Sequence, residues 1–277
     1  MLSQNRLTVE LKNPNYVPVI KDKNTYYGGS QMWFPATDWR KKDYILHNYG
    51  CGTIATADLF LYLALQNQGL KTPDTEIAIR GSSQIHDENY DQYVHFINSH
   101  YTKTHRIIAV LGTKVASSIN EYSKAYGLGL TASWKLFLSY YDMLGIMEEM
   151  LSQDIPVILS IGPNTPLLWG KKGIPFYELR KIEFRMNDSS SKETSSPSDS
   201  KKIIEIKRAY YYKLAYPGIN SHFVTVTGII RDDLASRYML RISSWGKEYY
   251  INYEEYRHYV ESTSGTITSS IVHIKKA

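Results

Sequence analysis

The single cysteine of the chain stands in Asn48-Tyr-Gly-Cys51-Gly-Thr-Ile-Ala-Thr-Ala-Asp58, where an apolar helical pattern begins. A thiol in the first turn of a helix has a chemical use. Unpaired backbone N–H groups and the positive end of the helix dipole favour its thiolate. The same N–H groups, that of Cys51 included, can donate to the oxyanion formed when sulfur attacks a carbonyl. Gly50 and Gly52 on either side would let a substrate approach the backbone closely. A lone cysteine is as often a small buried hydrophobe, so nucleophilic chemistry requires a base as well.

Eight histidines are available for that role. His86, His95, His100 and His105 fall in or beside a polar helical stretch and read as solvated face residues. His258 and His273 sit in ordinary late elements, and His47 lies just ahead of the cysteine. His222 differs because it opens Ser221-His-Phe-Val-Thr-Val-Thr-Gly228, a strongly alternating strand. Alternation sets it on the face of Val224 and Val226, so the imidazole is expected to point inward. A hydrogen-bonded core histidine is the competing assignment. If the next strand returns through a hairpin centred near residue 234, paired positions sum to about 468. Ser243, Ser244 and Trp245 then come beside the imidazole, while Asp232 and Asp233 fall at the hairpin tip.

Positioning these groups takes a buried helix and a strand. Ile54, Ala57, Leu61 and Leu65 recur at helical spacing, with Ala55, Leu59 and Leu63 filling other sides, so the helix from Gly52 to about Gln68 is expected at the centre. Further helices are expected over Asp87–Tyr101, Val115–Tyr126, Tyr140–Gln153 and Glu254–Glu261. Strands are expected at Ile155–Ile161, Ile203–Tyr216, His222–Ile230, Tyr238–Ser244 and Ile267–Ile274. The tyrosine clusters at Tyr210–Tyr212 and Tyr249–Tyr253 suit half-buried strands. Helices first and strands second read as an α+β fold with an antiparallel sheet in the second half. Residues 1–35 read as an extended arm, with Pro14, Pro18 and Gly28-Gly29 as breakers, and 36–277 as a single domain. Residues 186–202, polar and rich in Ser, read as a mobile insertion within it.

Composition removes several function classes. With 32 Lys and Arg against 27 Asp and Glu, the net charge is +5 and no basic stripe forms, which argues against nucleic acid as partner. No apolar run is long enough for a transmembrane segment, and no signal-peptide h-region opens the chain, so a cytoplasmic location is expected. One cysteine excludes an intrachain disulfide, and histidines without i, i+4 pairing give no zinc helix, so no metal or cofactor is expected.

Cys51-Gly at a helix start, the run Pro156-Val-Ile-Leu-Ser, His222-Phe-Val-Thr-Val-Thr-Gly and Ile242-Ser-Ser-Trp-Gly246 come in the order seen in papain-like cysteine peptidases. The chain most resembles the peptidase domain of bacteriocin-processing transporters and its stand-alone relatives. That family carries Asn-Ser-Trp-Gly, whose Asn orients the catalytic His and whose Trp shields the bond. The resemblance therefore implies a papain-like domain with Cys51 as nucleophile, His222 as base, Ser243 at the orienting position and Trp245 as shield. The family's oxyanion Gln stands a few residues before the nucleophile, where this chain has Ile45. Asn48, His47 or the Cys51 backbone N–H alone would then take that role. The implied activity is amide hydrolysis on a peptide or protein through a thioester. Deamidation and transpeptidation use the same atoms, and a degenerate member that binds peptide or sugar without turnover is the alternative.

Overall fold

The computed structural model of the chain describes residues 8–106, 109–162, 173–186, 205–232, 236–264 and 270–276. Helix α1 spans Lys42–Tyr49 and is followed through Gly50 by α2, Cys51–Gln66. Every residue of α2 from Gly52 to Ala64 is buried, as a helix apolar on all sides must be. It ends before Gly69, because the Asn67 side chain accepts from the Gly69 N–H and turns the backbone extended. Around it pack α3 (Pro73–Ile79), α4 (Asp87–Ile97), α5 (Gly112–Tyr126), α6 (Tyr140–Ser152) and α7 (Tyr253–Ser264). A π-helical turn over Asn98–Thr102 follows α4, so the expected helix to Tyr101 changes its winding at Asn98.

The main sheet is antiparallel and joins the two halves of the chain. Its strands are β1 (Thr8–Glu10), β5 (Leu130–Lys135), β6 (Val157–Ile161), β7 (Ile174–Met186), β8 (Glu205–Ile219), β9 (His222–Asp232), β10 (Arg237–Ser244), β11 (Lys247–Asn252) and β12 (Ile271–Lys276). They run β5-β12-β6-β9-β10-β11-β7-β8, and β1 pairs with the far end of β9. A second sheet pairs β2 (Pro18–Lys21) with β3 (Asn24–Tyr27) and with β4 (Ile85–His86). The described residues therefore form an α+β fold. Among them, no helix is long and apolar enough to cross a membrane.

Two organisational expectations change. Residues 8–35 are not a separate arm: β1 extends the main sheet, and Leu11, Tyr16, Val17, Val19 and Phe34 belong to the same core as α2. Pro18 reads as a breaker but opens β2, a position that needs no N–H from it. The expected insertion meets the structure only at Met186, which ends β7, and its residues 187–202 lie outside the described residues, as do Ile203, Asp233 and Ile267.

Candidate active site

Cys51 is the first residue of α2, and His222 is the first of β9. The helix and strand touch at the next residue of each. A Cβ on Gly52 would lie 2.5 Å from Val110 Cγ1 and 3.3 Å from Phe223 Cδ2. Glycine here is needed chiefly by Val110, and it also leaves room for Phe223 of β9; Cys51 and His222 line one narrow pocket of about 20 Å³. Gly50 is also a packing residue, since a Cβ on it would run into the Leu46 carbonyl. Both glycines thus have a packing role beside the one expected of them.

The hairpin register decides what holds the imidazole. Ser243 pairs with Thr225 and Ile242 with Val226, so the paired positions near the site do sum to 468. Ser244 lies on the His222 side of the pair, and its Oγ is 2.8 Å from His222 Nε2. Ser243, one residue earlier, turns to the opposite face and donates to the Tyr27 carbonyl at 2.7 Å. The orienting contact expected of Ser243 is thus made by Ser244. Asp232 is engaged with Arg237 at the other end of the hairpin.

Trp245 covers the ring. Its indole stacks on His222 with centroids 4.7 Å apart and planes 22° from parallel. It reaches this place from a two-residue turn in which Trp245 has φ +51 and Gly246 φ +75. Both residues of a type I′ hairpin turn need positive φ, which suits Asn-Gly and strains Trp. The stack on His222 and the edge contact with Tyr216, at 5.4 Å, hold the indole there.

Burial sets the protonation states. His222 is 7% exposed, and desolvation lowers its pKa to about 4. Burial pushes the Cys51 thiol up, against backbone N–H groups of Phe223, Gly52 and Cys51 that pull it down. The resting pair is therefore a thiol and a neutral imidazole, where the helix dipole alone suggests a thiolate. A neutral imidazole is the base form. In the tautomer that carries its hydrogen on Nε2, where it donates to Ser244 Oγ, the Nδ1 lone pair is the one that can take a thiol proton. Trp245→Asn should relax the turn but wet the ring, moving the His222 midpoint from near 4 toward 6.5 in an NMR titration. A midpoint that stays near 4 would mean the indole does not keep water from the ring.

The oxyanion assignments also change. Asn48 is exposed, and its amide Nδ2 donates to Tyr44 O within α1, away from the pocket. His47 Nδ1 is bonded to the Phe34 carbonyl. Gln31, which sequence reasoning missed, lines the pocket beside Cys51. Its Nε2 donates to His47 O at 2.9 Å, which leaves its second N–H uncommitted. A signal existed in Gly28-Gly29-Ser-Gln31, where two glycines precede an amide, but the twenty-residue gap to Cys51 hid it. Asp58, two helical turns after Cys51, lines the same pocket and was not singled out either.

Nothing gathers a metal here: among the described residues, no group of three or more His, Cys, Asp and Glu is placed to hold one. A larger cavity of about 790 Å³ lies by α7 and the base of the β7–β8 hairpin. Its carboxylates are already engaged, Glu254 by the Tyr140 hydroxyl and Glu255 by the Tyr177 hydroxyl. Comparison with protein-family models, curated proteins and solved structures finds no match.

Proposed function

We propose that the protein is a cysteine-nucleophile amide hydrolase of papain-like type, acting on a peptide or protein. The supporting observation is that Cys51 and His222 line one pocket, with Ser244 on His222 Nε2 and Trp245 stacked on the ring. In the proposed reaction His222 Nδ1 takes the thiol proton as Sγ bonds to the substrate carbonyl carbon. Backbone N–H groups at the start of α2 and the Gln31 amide face the resulting oxyanion. The tetrahedral species collapses to a thioester, the amine leaves with the proton from His222, and water releases the acid by the same steps in reverse.

A second reading is favoured by the size of the pocket. About 20 Å³ does not accommodate an acyl group, so the site as described must open for turnover or serve a degenerate binding protein. One experiment separates the two. Incubation with an epoxysuccinyl cysteine-peptidase inhibitor should add one inhibitor mass to the intact chain, at Cys51, and His222→Ala should slow the addition strongly. No adduct on a folded chain would favour the binding protein.

A further inference from the structure

We infer that Asp58 is a positioning residue of this site: from the nucleophile's own helix it clamps the loop that presents Gln31 beside Cys51. The inference rests on the hydrolase reading above. Asp58 follows Cys51 by two turns on one face of α2, with Ile54 and Ala55 between them on the pocket wall. It is 2% exposed, and neither carboxyl oxygen is idle. One accepts from the Gly29 N–H at 3.0 Å, and the other accepts from the Tyr90 hydroxyl at 2.6 Å.

The clamped segment is held from several sides. The Tyr27 N–H donates to Gly246 O at 2.9 Å, and the Gly28 N–H to Val17 O at 2.8 Å. Ser243 Oγ donates to Tyr27 O at 2.7 Å. The fit leaves no room for side chains. A Cβ on Gly28, whose φ is +83, would lie 2.5 Å from Ser243 Oγ and 2.7 Å from Asp58 Oδ2. A Cβ on Gly29 would collide with the Tyr90 hydroxyl. At the next residue, Ser30 Oγ accepts from Met32 N–H and starts the short helical turn whose first residue is Gln31.

The loop therefore receives one anchor from the helix that carries the nucleophile and another from the strand that carries the imidazole's partner. Its product is the placement of one carboxamide. Packing alone does not require an acid at position 58, since burying a carboxyl is costly and an apolar residue would fill the space. A carboxyl is required if the Gly29 N–H must be met from the helix side. Asn would meet it equally well through its carbonyl oxygen, and Ala would not.

The test uses two reagents that differ in whether an oxyanion forms. p-Nitrophenyl acetate transfers its acetyl group to Sγ, releasing p-nitrophenolate through an oxyanionic intermediate. Iodoacetamide alkylates the same sulfur at an sp³ carbon, releasing iodide, with no oxyanion. Gln31→Ala should slow acetylation of Cys51 by on the order of 10²-fold, the usual loss for one oxyanion donor. Asp58→Ala should slow it by roughly tenfold, Asp58→Asn should restore most of the rate, and alkylation should be unchanged in both. Asp58→Ala placed on Gln31→Ala should cost nothing further, because the clamp acts through that amide. Ser243→Ala gives the same cycle without touching a buried acid, and it carries the test if Asp58→Ala does not fold. Multiplicative losses in these cycles, or equal slowing of acetylation and alkylation, would overturn the inference alone. A wild-type Cys51 that His222→Ala leaves equally reactive toward both reagents would overturn the hydrolase reading and the inference with it.

Discussion

Cys51→Ala is expected to abolish acyl transfer, and His222→Ala to lower it by ~10⁴-fold or more, with the double variant no slower than Cys51→Ala. The two residues act as one unit, since a neutral thiol in this pocket is a poor nucleophile until the imidazole removes its proton. Burial strengthens that dependence. Because desolvation raises the thiol and lowers the imidazole, the resting sulfur favours the thiol form and depends on His222 for its deprotonation. Ser244→Ala should cost about tenfold, or ~1.4 kcal/mol, by freeing the ring and its tautomer. Asn48→Ala should change nothing, since its side chain is exposed, bonds back to Tyr44 O within its own helix and is not among the residues lining the pocket. Burst kinetics with p-nitrophenyl acetate read all of these. Retention of the burst in Cys51→Ala would place the nucleophile elsewhere.

The parts of this site legible in the sequence were those set by periodicity. The buried helix from Cys51 and the alternating strand from His222 are written in apolar spacing, and both form where that spacing puts them. The hairpin arithmetic reached Ser244 and Trp245, and it did so through a β-bulge between Arg241 and Ile242 that shifts the pairing by one residue, from a sum of 469 near the turn to 468 near the site. It did not choose between neighbours. β9 is buried on both sides, so an alternating pattern does not say which face meets α2, and a one-residue difference separates the Ser244 contact from the Ser243 contact. Gln31 and Asp58 were harder to see for another reason. Their role depends on contacts between Tyr27–Gln31, α2 and β10, elements far apart in sequence, and no local pattern encodes such a meeting. The first residues looked irregular because β1, β2 and β3 are only three or four residues long.

Opposite pH dependences of stability are expected from two buried titratable groups of this pocket, His222 and Asp58. His222 has its folded pKa lowered to about 4 from 6.5, so its contribution is full above 6.5 and is lost as pH falls toward 4. Asp58 has its folded pKa raised to about 7 from 3.8, chiefly by burial, so its contribution is full below 3.8 and is lost as pH rises toward 7. Between about 4 and 6.5 the unfolded chain holds the extra proton on His222 and the folded chain holds it on Asp58. The two slopes, each about 1.4 kcal/mol per pH unit, oppose one another in the wild type. Asp58→Asn removes one of them, and its stability relative to wild type should rise with pH across this interval, by roughly 3 kcal/mol in all. His222→Gln removes the other, and its relative stability should fall with pH over the same range. Urea unfolding at several pH values measures both differences, with other titrating groups common to each pair. A wild type and Asp58→Asn that run parallel would show that Asp58 is ionised in the folded chain throughout. The interval matters for the chemistry as well, because here His222 is neutral and able to act as base while Asp58 carries its proton. A protonated carboxyl still accepts the Gly29 N–H through its carbonyl oxygen, so the loop clamp and the base coexist over the whole range.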